Sequence, residues 1–202
     1  PPPPLPVPAP AEDAAVQAIA QVIRSGEKCA LLLGGHALRE PGLLAAARLA
    51  AASGVHVFAE CFPTRLERGA GLPAVERIAY LAEMAGVQLA PYKHLVLVDA
   101  KSPVSFFAYP GKKSDLVPEG CTVHTLATPA QDAAASLRKL VAALGAEAAQ
   151  PTLQAPQRPD RPRGGDPSRS AGDPAAGQFS PPRRSPRRTR NSRGRRHPLG
   201  HR

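Results

Sequence analysis

Short polar segments that follow apolar runs are the residues of this chain best placed to bind a ligand. Gly34-Gly35-His36 follows the run KCALLL, and Asp99 ends the run HLVLVD. A glycine turn after a strand lets the backbone approach a phosphate and points N–H groups at it. The stretch from Gly34 to Arg39 lacks the full G-x-G-x-x-G spacing, so this is either a nucleotide contact or a tight turn without a ligand.

Asp99 also has two interpretations. Its carboxylate could accept a hydrogen bond from a ribose hydroxyl, or it could cap the turn that follows. Ligands of parallel sheets bind outside the carboxyl ends of the strands, near the point where strand order reverses. Cys61-Phe62-Pro63 and Ala100-Lys101-Ser102 also follow apolar runs. The predicted cofactor-binding residues within this region are Gly34, Gly35, His36 and Asp99.

The histidines ahead of the C-terminal segment are scattered through different predicted elements, with no i, i+4 pair, at positions His36, His56, His94 and His124. Buried polar groups are usually paired with a hydrogen-bond partner. We therefore interpret each as a paired core or surface histidine rather than a metal ligand.

A second polar group comprises Arg65, Glu67 and Arg68 in one predicted loop and Lys112-Lys113 in another. It could bind an anionic cofactor or a neighbouring domain, or it could be a solvated loop. The sequence has no Gly-x-Ser-x-Gly elbow, P-loop or Cys/His dyad, so it predicts no catalytic residue and no metal ligand.

These segments are positioned by alternating strand and helix patterns. Strands are predicted over Lys28 to Leu33, Val55 to Glu60, His94 to Asp99 and Cys121 to Leu126. Helices are predicted over Glu12 to Arg24, from Pro41 to Gly54, from Ala74 to Ala85, and from a capping box at Thr128-Pro129-Ala130-Gln131 to Leu144. Ser102 to Gly120 is a predicted loop, with a short extended piece at Val104 to Tyr109. Such alternation indicates an α/β fold, a Rossmann-like doubly wound parallel sheet.

Charge and composition divide the chain. Residues 1–150 carry 13 basic and 13 acidic side chains, whereas the net charge of +10 lies wholly in residues 151–202. That last segment is rich in proline and arginine and has few large apolar residues, a composition typical of disorder. We predict a Pro-rich linker over 1–10, a folded domain over 11–146 and a disordered Arg/Pro-rich tail over 147–202.

Several classes of protein are excluded by composition. No apolar run reaches the length of a membrane span, and no basic segment with an apolar core opens the chain as a secretion signal would. Cys29, Cys61 and Cys121 are odd in number and form no CxxC pair, as expected of reduced thiols in a cytoplasmic protein. The first residue is Pro1 and the sole methionine is Met84, so we expect that the chain was cut from a longer one.

Three stretches carry a resemblance to a known family: residues 31–83, beginning LLLGGHALREPGLL; residues 94–112, HLVLVDAKSPVSFFAYPGK; and residues 117–129, VPEGCTVHTLATP. Together they resemble the central domain of thiamine-diphosphate-dependent enzymes, such as the acetolactate synthase large subunit and benzoylformate decarboxylase. The loops FPTRLERGAG and FFAYPGK are the most specific parts of the resemblance, which covers about Asp13 to Gly145.

The resemblance implies an enzyme of three domains that joins or cleaves 2-oxo acids and forms a dimer or tetramer. In that family the flanking domains supply the glutamate that activates the thiazolium and a Gly-Asp-Gly…Asn signature that holds Mg²⁺ and diphosphate. Gly165-Asp166-Pro167 is not that signature, so this chain is expected to be inactive alone. Acetolactate synthases also hold FAD in the central domain, and the matching positions are Gly34, Gly35 and the Asp99 loop. The FFAYPGK loop departs from the flavin-binding pattern.

The tail leads to further hypotheses. Its basic residues are all arginine, a bias typical of a GC-rich coding region read out of frame, so a frameshift could have replaced the cofactor-binding domain; the nucleotide sequence tests this. Alternatively, the arginines could bind the phosphates of a nucleic acid. Such binding would be non-specific, because Phe179 is the single aromatic residue there that could stack on a base. A third hypothesis is a stand-alone domain that binds FAD or another nucleotide.

Overall fold

The computed structural model describes residues 7–108, 110–111 and 113–157, and it confirms the α/β class. Most of the predicted tail, with its arginine run, lies outside these residues. In the described part, strands and helices alternate along the chain in the order α1 (Asp13–Arg24), β1 (Cys29–Leu33), α2 (Glu40–Ser53), β2 (His56–Ala59), β3 (Glu76–Arg77), α3 (Ala82–Leu89), β4 (His94–Val98), β5 (Thr122–Ala127) and α4 (Ala133–Leu144).

The strands form one parallel sheet in the order β3-β2-β1-β4-β5. The central strand β1 places Leu32 between Phe58 of β2 and Leu97 of β4. From β1 the chain moves outward to β3, then returns to the other side of β1 to form β4. Strand order therefore reverses between β1 and β4, which makes this a doubly wound sheet with its switch point there.

Alternate residues of the strands enter two cores, one on each face of the sheet, as the two-residue period of a strand requires. Leu31 and Leu33 pack beneath the three long helices α1, α2 and α4. Ala30 and Leu32 face the other side, where the short helix α3 contributes Ala85 and Leu89 to the core. The second face is thus covered by far less helix than the first.

The boundaries of α2 follow directly from its sequence. Pro41 lies in the first turn, where a missing N–H leaves no hydrogen bond unmade. Gly54 ends the helix in the left-handed conformation with φ of 73°, which a glycine adopts without a steric penalty. Both features confirm the predicted helix between these two residues.

The helix predicted over Ala74 to Ala85 is wrong. Its first part is the extended strand β3, which pairs with the end of β2, and the helix begins only at Ala82 and continues through Gly86 to Leu89. Gln88 fixes the extended stretch: its side-chain oxygen accepts from the Ala79 N–H, and its amide donates to Glu76. Tertiary contacts therefore override the helical spacing of the apolar residues.

The predicted capping box does not start α4. The Gln131 side chain does accept from the Thr128 N–H, at 2.9 Å, but the hydroxyl of Thr128 donates to the same Gln131 oxygen. Asp132 is the actual N-cap, with its carboxylate accepting from the Ala135 N–H at 2.9 Å. Because an aspartate is among the strongest N-cap residues, the helix starts there and the earlier residues form a turn.

The sheet ends at β5, and this strand differs from the buried strand that its sequence predicts. Its first four residues are exposed or partly exposed, and Val123 is 39% exposed. The predicted extended piece at Val104 is confirmed in part, by an antiparallel bridge to Asp115. Tyr109, at its far end, lies outside the described residues.

Residues on both sides of the predicted domain boundaries contact the fold. The Asp132 N–H donates to the Ala9 carbonyl, and the Ala11 N–H donates to the Ser136 hydroxyl. Near the other end, Gln154 exchanges backbone hydrogen bonds with the loop at Gly71 and Leu72. In the described ranges, no helix is long and apolar enough to cross a membrane.

Candidate functional site

The switch point between β1 and β4 brings the predicted site residues together. The Gly34 N–H donates to the Val98 carbonyl at 3.0 Å. The next N–H, of Gly35, donates to Glu60 Oε1 at 3.4 Å, and the N–H of His36 donates to Asp99 Oδ2 at 2.6 Å. Each of the three backbone donors of this turn is therefore already satisfied by the protein.

The turn and Asp99 fit too closely for any side chain between them. A Cβ on Gly34 would lie 2.3 Å from the Asp99 carbonyl oxygen, and a Cβ on Gly35 would lie 2.3 Å from Asp99 Oδ2. Asp99 itself has a φ of 51°, in the left-handed region that few non-glycine residues adopt. Its carboxylate is 5% exposed, whereas His36 projects outward with its side chain 83% exposed and its Nδ1 3.5 Å from Asp99 Oδ2.

This geometry does not fit a cofactor diphosphate at the glycine turn. A phosphate binds such a turn through backbone N–H groups, and here two carboxylates accept from them. The same carboxylates would repel an incoming anion at close range. The Asp99 carboxylate caps the turn after β1, and this contact is neither the ribose hydrogen bond nor the cap on its own following turn that the sequence left open.

The turn Gly34-Gly35-His36 and the residues that follow β2 and β4 form a crevice at the switch point. Glu60 is the second acid of this crevice after Asp99, and its pKa is raised. Burial of its carboxyl is the main cause, and the nearby charge of Asp99 raises the pKa further, whereas the hydrogen bond from Gly35 lowers it. The crevice therefore disfavours a second negative charge beside Asp99. Glu60 was predicted as part of a strand; its position directly after the buried β2 is the sequence signal that could have identified it.

Beyond Glu60, the crevice widens into a cavity of about 210 Å³ on the sheet face that carries α3. Cys61 and Phe62, from the loop after β2, line it together with Lys101 and Ser102, from the loop after β4. These four residues belong to the segments that were predicted to follow strands at this edge. Tyr80 and Phe106 also line the cavity, and sequence spacing gave no sign that they meet.

The other three histidines within the described residues lie away from the crevice, and each has a hydrogen-bond partner. His56 Nε2 is 3.1 Å from Glu76 Oε2. His94 Nδ1 is 3.1 Å from His124 Nε2, while His94 Nε2 is 2.8 Å from Glu27 Oε2. Burial, and then the proximity of His94, lower the pKa of His124.

The loop with Arg65, Glu67 and Arg68 makes polar contacts within the fold. Arg65 Nη2 lies 3.5 Å from Glu67 Oε1, and the other oxygen of Glu67 accepts from the backbone N–H of Glu40 at 2.6 Å. Glu67 thereby satisfies a donor in the first turn of α2. Lys112, which was grouped with these residues, lies outside the described part of the chain.

Within the described residues, no group of three or more His, Cys, Asp or Glu side chains could hold a metal ion. The donor set that Mg²⁺ prefers is a cluster of carboxylate and carbonyl oxygens with waters. These residues therefore do not fit the Mg²⁺ site that accompanies thiamine diphosphate.

The strand order and the crevice at its reversal define a Rossmann-like α/β domain. Comparison with known proteins narrows this class. Over 140 residues the chain is 58% identical to "Putative acetolactate synthase large subunit IlvX" of Mycobacterium tuberculosis (strain ATCC 25618 / H37Rv); the match covers 68% of this chain and 27% of that protein. The chain therefore spans about a quarter of the length of this curated relative. No model of a protein family matches the sequence.

Solved structures show the same fold. A "putative thiamin diphosphate-dependent enzyme" from Mycobacterium smegmatis matches with a TM-score of 0.55 at 17% identity, over 77% of this chain and 33% of that one. The thiamine diphosphate-dependent 4-hydroxybenzoylformate decarboxylase of Rhodococcus jostii RHA1 matches with a TM-score of 0.53 at 16% identity, over 78% and 31%. The chain carries a domain of the thiamine-diphosphate-dependent enzymes, which confirms the resemblance.

Proposed function

We propose that this chain is the central, scaffolding domain of a thiamine-diphosphate-dependent enzyme that joins or cleaves 2-oxo acids, as acetolactate synthase and benzoylformate decarboxylase do. The observation that carries the proposal is the 58% identity to a protein named for acetolactate synthase, within a match that covers only 27% of that protein. The rest of such an enzyme must then supply the reacting groups.

The cofactors of the whole enzyme are thiamine diphosphate and Mg²⁺, held by sister domains. The described residues offer no group of three or more side chains that could hold a metal ion, which supports a placement of Mg²⁺ outside this domain. Sister domains and further copies of the enzyme, in a dimer or tetramer, are the expected partners. The three free cysteines are consistent with a cytoplasmic protein, in which thiols stay reduced.

In this proposal Gly34, Gly35, His36 and Asp99 act as the rigid closure of the crevice rather than as a grip on FAD. The support is the pairing of the Gly35 and His36 N–H groups with carboxylates of the protein itself. A domain without reacting groups has no means of activating a bound thiazolium, so the chain is inactive alone.

The first test is an assay of the purified chain with pyruvate and with benzoylformate, in the presence of thiamine diphosphate and Mg²⁺. We expect no turnover above buffer. Turnover by the chain alone would overturn the scaffold role, because it would require reacting groups in this polypeptide.

The second test asks whether the domain fits a larger enzyme. Residues 11–146 would replace the matched segment of the Mycobacterium tuberculosis relative, and a flexible linker of the same length would replace it in the control. We expect the chimera, but not the linker control, to remain folded and to bind thiamine diphosphate in calorimetry as its parent does. A chimera that loses the cofactor while its parent binds it would contradict the proposal.

A further inference from the structure

The cavity of about 210 Å³ at the carboxyl ends of the strands has features that the scaffold role does not use. It begins at Leu32 of β1 and is bounded by the segments that leave β2, β3 and β4. In doubly wound sheets this edge is where ligands bind. The glycine turn beside it is closed by carboxylates, but the cavity itself is open.

One wall of the cavity is a preformed cluster of aromatic rings. Phe62 lies 5.6 Å from Tyr80 and 5.3 Å from Phe106 between ring centroids, and Tyr80 lies 5.6 Å from Phe106. The three pairs are tilted or edge-on, the arrangement that aromatic rings prefer. These side chains come from three separate segments, and the contacts among their rings form the wall without a ligand.

The same rings are unusually accessible for aromatic side chains. Phe62 is 60% exposed, Tyr80 is 43% exposed and Phe106 is 62% exposed. An aromatic ligand that inserts among them would bury apolar surface on both partners. Each square ångström of apolar surface removed from water contributes favourably to binding.

The lining of the cavity also offers hydrogen-bond donors. Lys101 and Ser102 line it and follow β4, whereas Phe62 follows β2. Phe106 follows β4 as well, four residues after Ser102, and its ring lies 5.3 Å from that of Phe62. The volume of about 210 Å³ accommodates a molecule of one or two fused rings with one charged group.

The charges around the cavity limit what that group can be. Among the described residues that line the cavity, Lys101 is the one cation and Glu60 the one acid, and the buried Asp99 is close enough to Glu60 to raise its pKa. One negative charge on a ligand can pair with Lys101, whereas the second charge of a phosphate dianion finds no second cation among the described lining residues and is repelled by Asp99. A carboxylate therefore fits this cavity better than a nucleotide does.

We propose that the cavity binds a small planar aromatic monocarboxylate, with its ring against Phe62, Tyr80 and Phe106 and its carboxylate on Lys101 and Ser102. This proposal does not depend on the scaffold role proposed above.

Calorimetric titration of the full chain with three matched probes tests the proposal: 2-naphthoate, 2-naphthol, which lacks the carboxylate, and 2-naphthyl phosphate. We expect saturable one-to-one binding of 2-naphthoate. The other two probes should bind about tenfold more weakly, the naphthol because it lacks the charge-assisted hydrogen bonds and the phosphate because of its second charge.

Variants locate the site. Phe106→Ser should raise the Kd of 2-naphthoate about tenfold by removing one ring contact. Lys101→Gln should raise it about fivefold while leaving 2-naphthol unchanged. Val87→Ser is the matched control, because Val87 is an exposed apolar residue of α3 that does not line the cavity, and it should bind as the original chain does. Phe62→Ser replaces Phe106→Ser if far-ultraviolet circular dichroism shows that the latter is unfolded.

Three results would overturn the proposal. The first is the absence of saturable binding of 2-naphthoate. The second is an equal loss of binding in Val87→Ser and Phe106→Ser, which would mark a broad apolar face that a protein partner covers. The third is a Lys101→Gln variant that binds 2-naphthoate as tightly as the original chain.

Discussion

Asp99 Oδ2 accepts a hydrogen bond of 2.6 Å from the backbone N–H of His36, across the point where the order of the strands reverses. The two residues follow β4 and β1, so this bond joins the carboxyl ends of the two central strands. Asp99 holds a left-handed backbone with φ of 51°, and the turn at Gly35 leaves room for its carboxylate. The shape of the turn and the position of the acid therefore depend on each other.

Gly35→Ala should destabilise the fold more than the same change at another left-handed glycine. The new Cβ would meet the Asp99 carboxylate at 2.3 Å, in addition to adopting a φ of 42°. We expect a loss of about 3 kcal/mol in the free energy of unfolding, from backbone strain plus overpacking.

Gly54→Ala is the control, because Gly54 has a φ of 73° but nothing within 4 Å of the added Cβ. Its loss should be about 1 kcal/mol, from backbone strain alone. Urea denaturation measures both variants, and equal losses would show that Asp99 does not crowd the turn.

Asp99→Asn and Asp99→Ala should differ in stability. Asparagine keeps an oxygen that can accept from the His36 N–H, and it tolerates the left-handed region. We expect it to cost about 1 kcal/mol. Alanine removes the acceptor and lacks the short polar side chain that lets aspartate and asparagine adopt the left-handed region, so it should cost about 3 kcal/mol. Thermal unfolding distinguishes them, and an alanine variant as stable as the asparagine variant would contradict the capping role.

Some of the fold could be predicted because single segments determine it. β1 is apolar along its length and β4 is apolar from Leu95 to Val98, because both faces of a central parallel strand are buried. The strand β3 could not be predicted in this way. Glu76 and Arg77 are both exposed, and their extended form depends on pairing with β2 and on hydrogen bonds from Gln88.

The candidate site likewise contains one contact that the sequence predicts and another that it does not. That His36 and Asp99 lie at one edge follows from the rule that parallel strands share their carboxyl ends, although 63 positions separate them. The contact of Tyr80 with Phe106 follows from no local pattern, because it requires a loop of one segment to fold back over the end of another. The prediction of a helix through Tyr80 obscured it further.

The stability of the fold should decrease as the solution becomes mildly acidic, in part because of His124. Its pKa is lowered in the folded state from 6.5 by burial and by His94, which bonds in turn to Glu27. Below about pH 6.5 the unfolded chain accepts a proton that the folded chain resists, so the free energy of unfolding falls with falling pH. His124→Gln should lose less of its Tm between about pH 7.5 and 5.5 than the original chain does. Parallel Tm curves for the two proteins would refute this role.

The three thiols should react with iodoacetamide at different rates. Cys29 is 6% exposed, and burial, with a smaller effect of Cys121, raises the pKa of its thiol to about 12. Because the thiolate is the reactive form, Cys29 should remain unmodified in the folded chain. Cys61 and Cys121 are partly exposed and should be modified first.

The modification rates of the two accessible thiols also distinguish ligand binding in the cavity from effects on the rest of the surface. Cys61 lines the cavity, and Cys121 does not. Saturating 2-naphthoate should therefore slow modification of Cys61 and leave the rate at Cys121 unchanged. Peptide mass spectrometry over a time course measures both rates in one sample. Modification of Cys29 as fast as Cys61 would mean that the central strand is open to solvent, and equal slowing at Cys61 and Cys121 would mean that the probe acts on the reagent or on the whole fold.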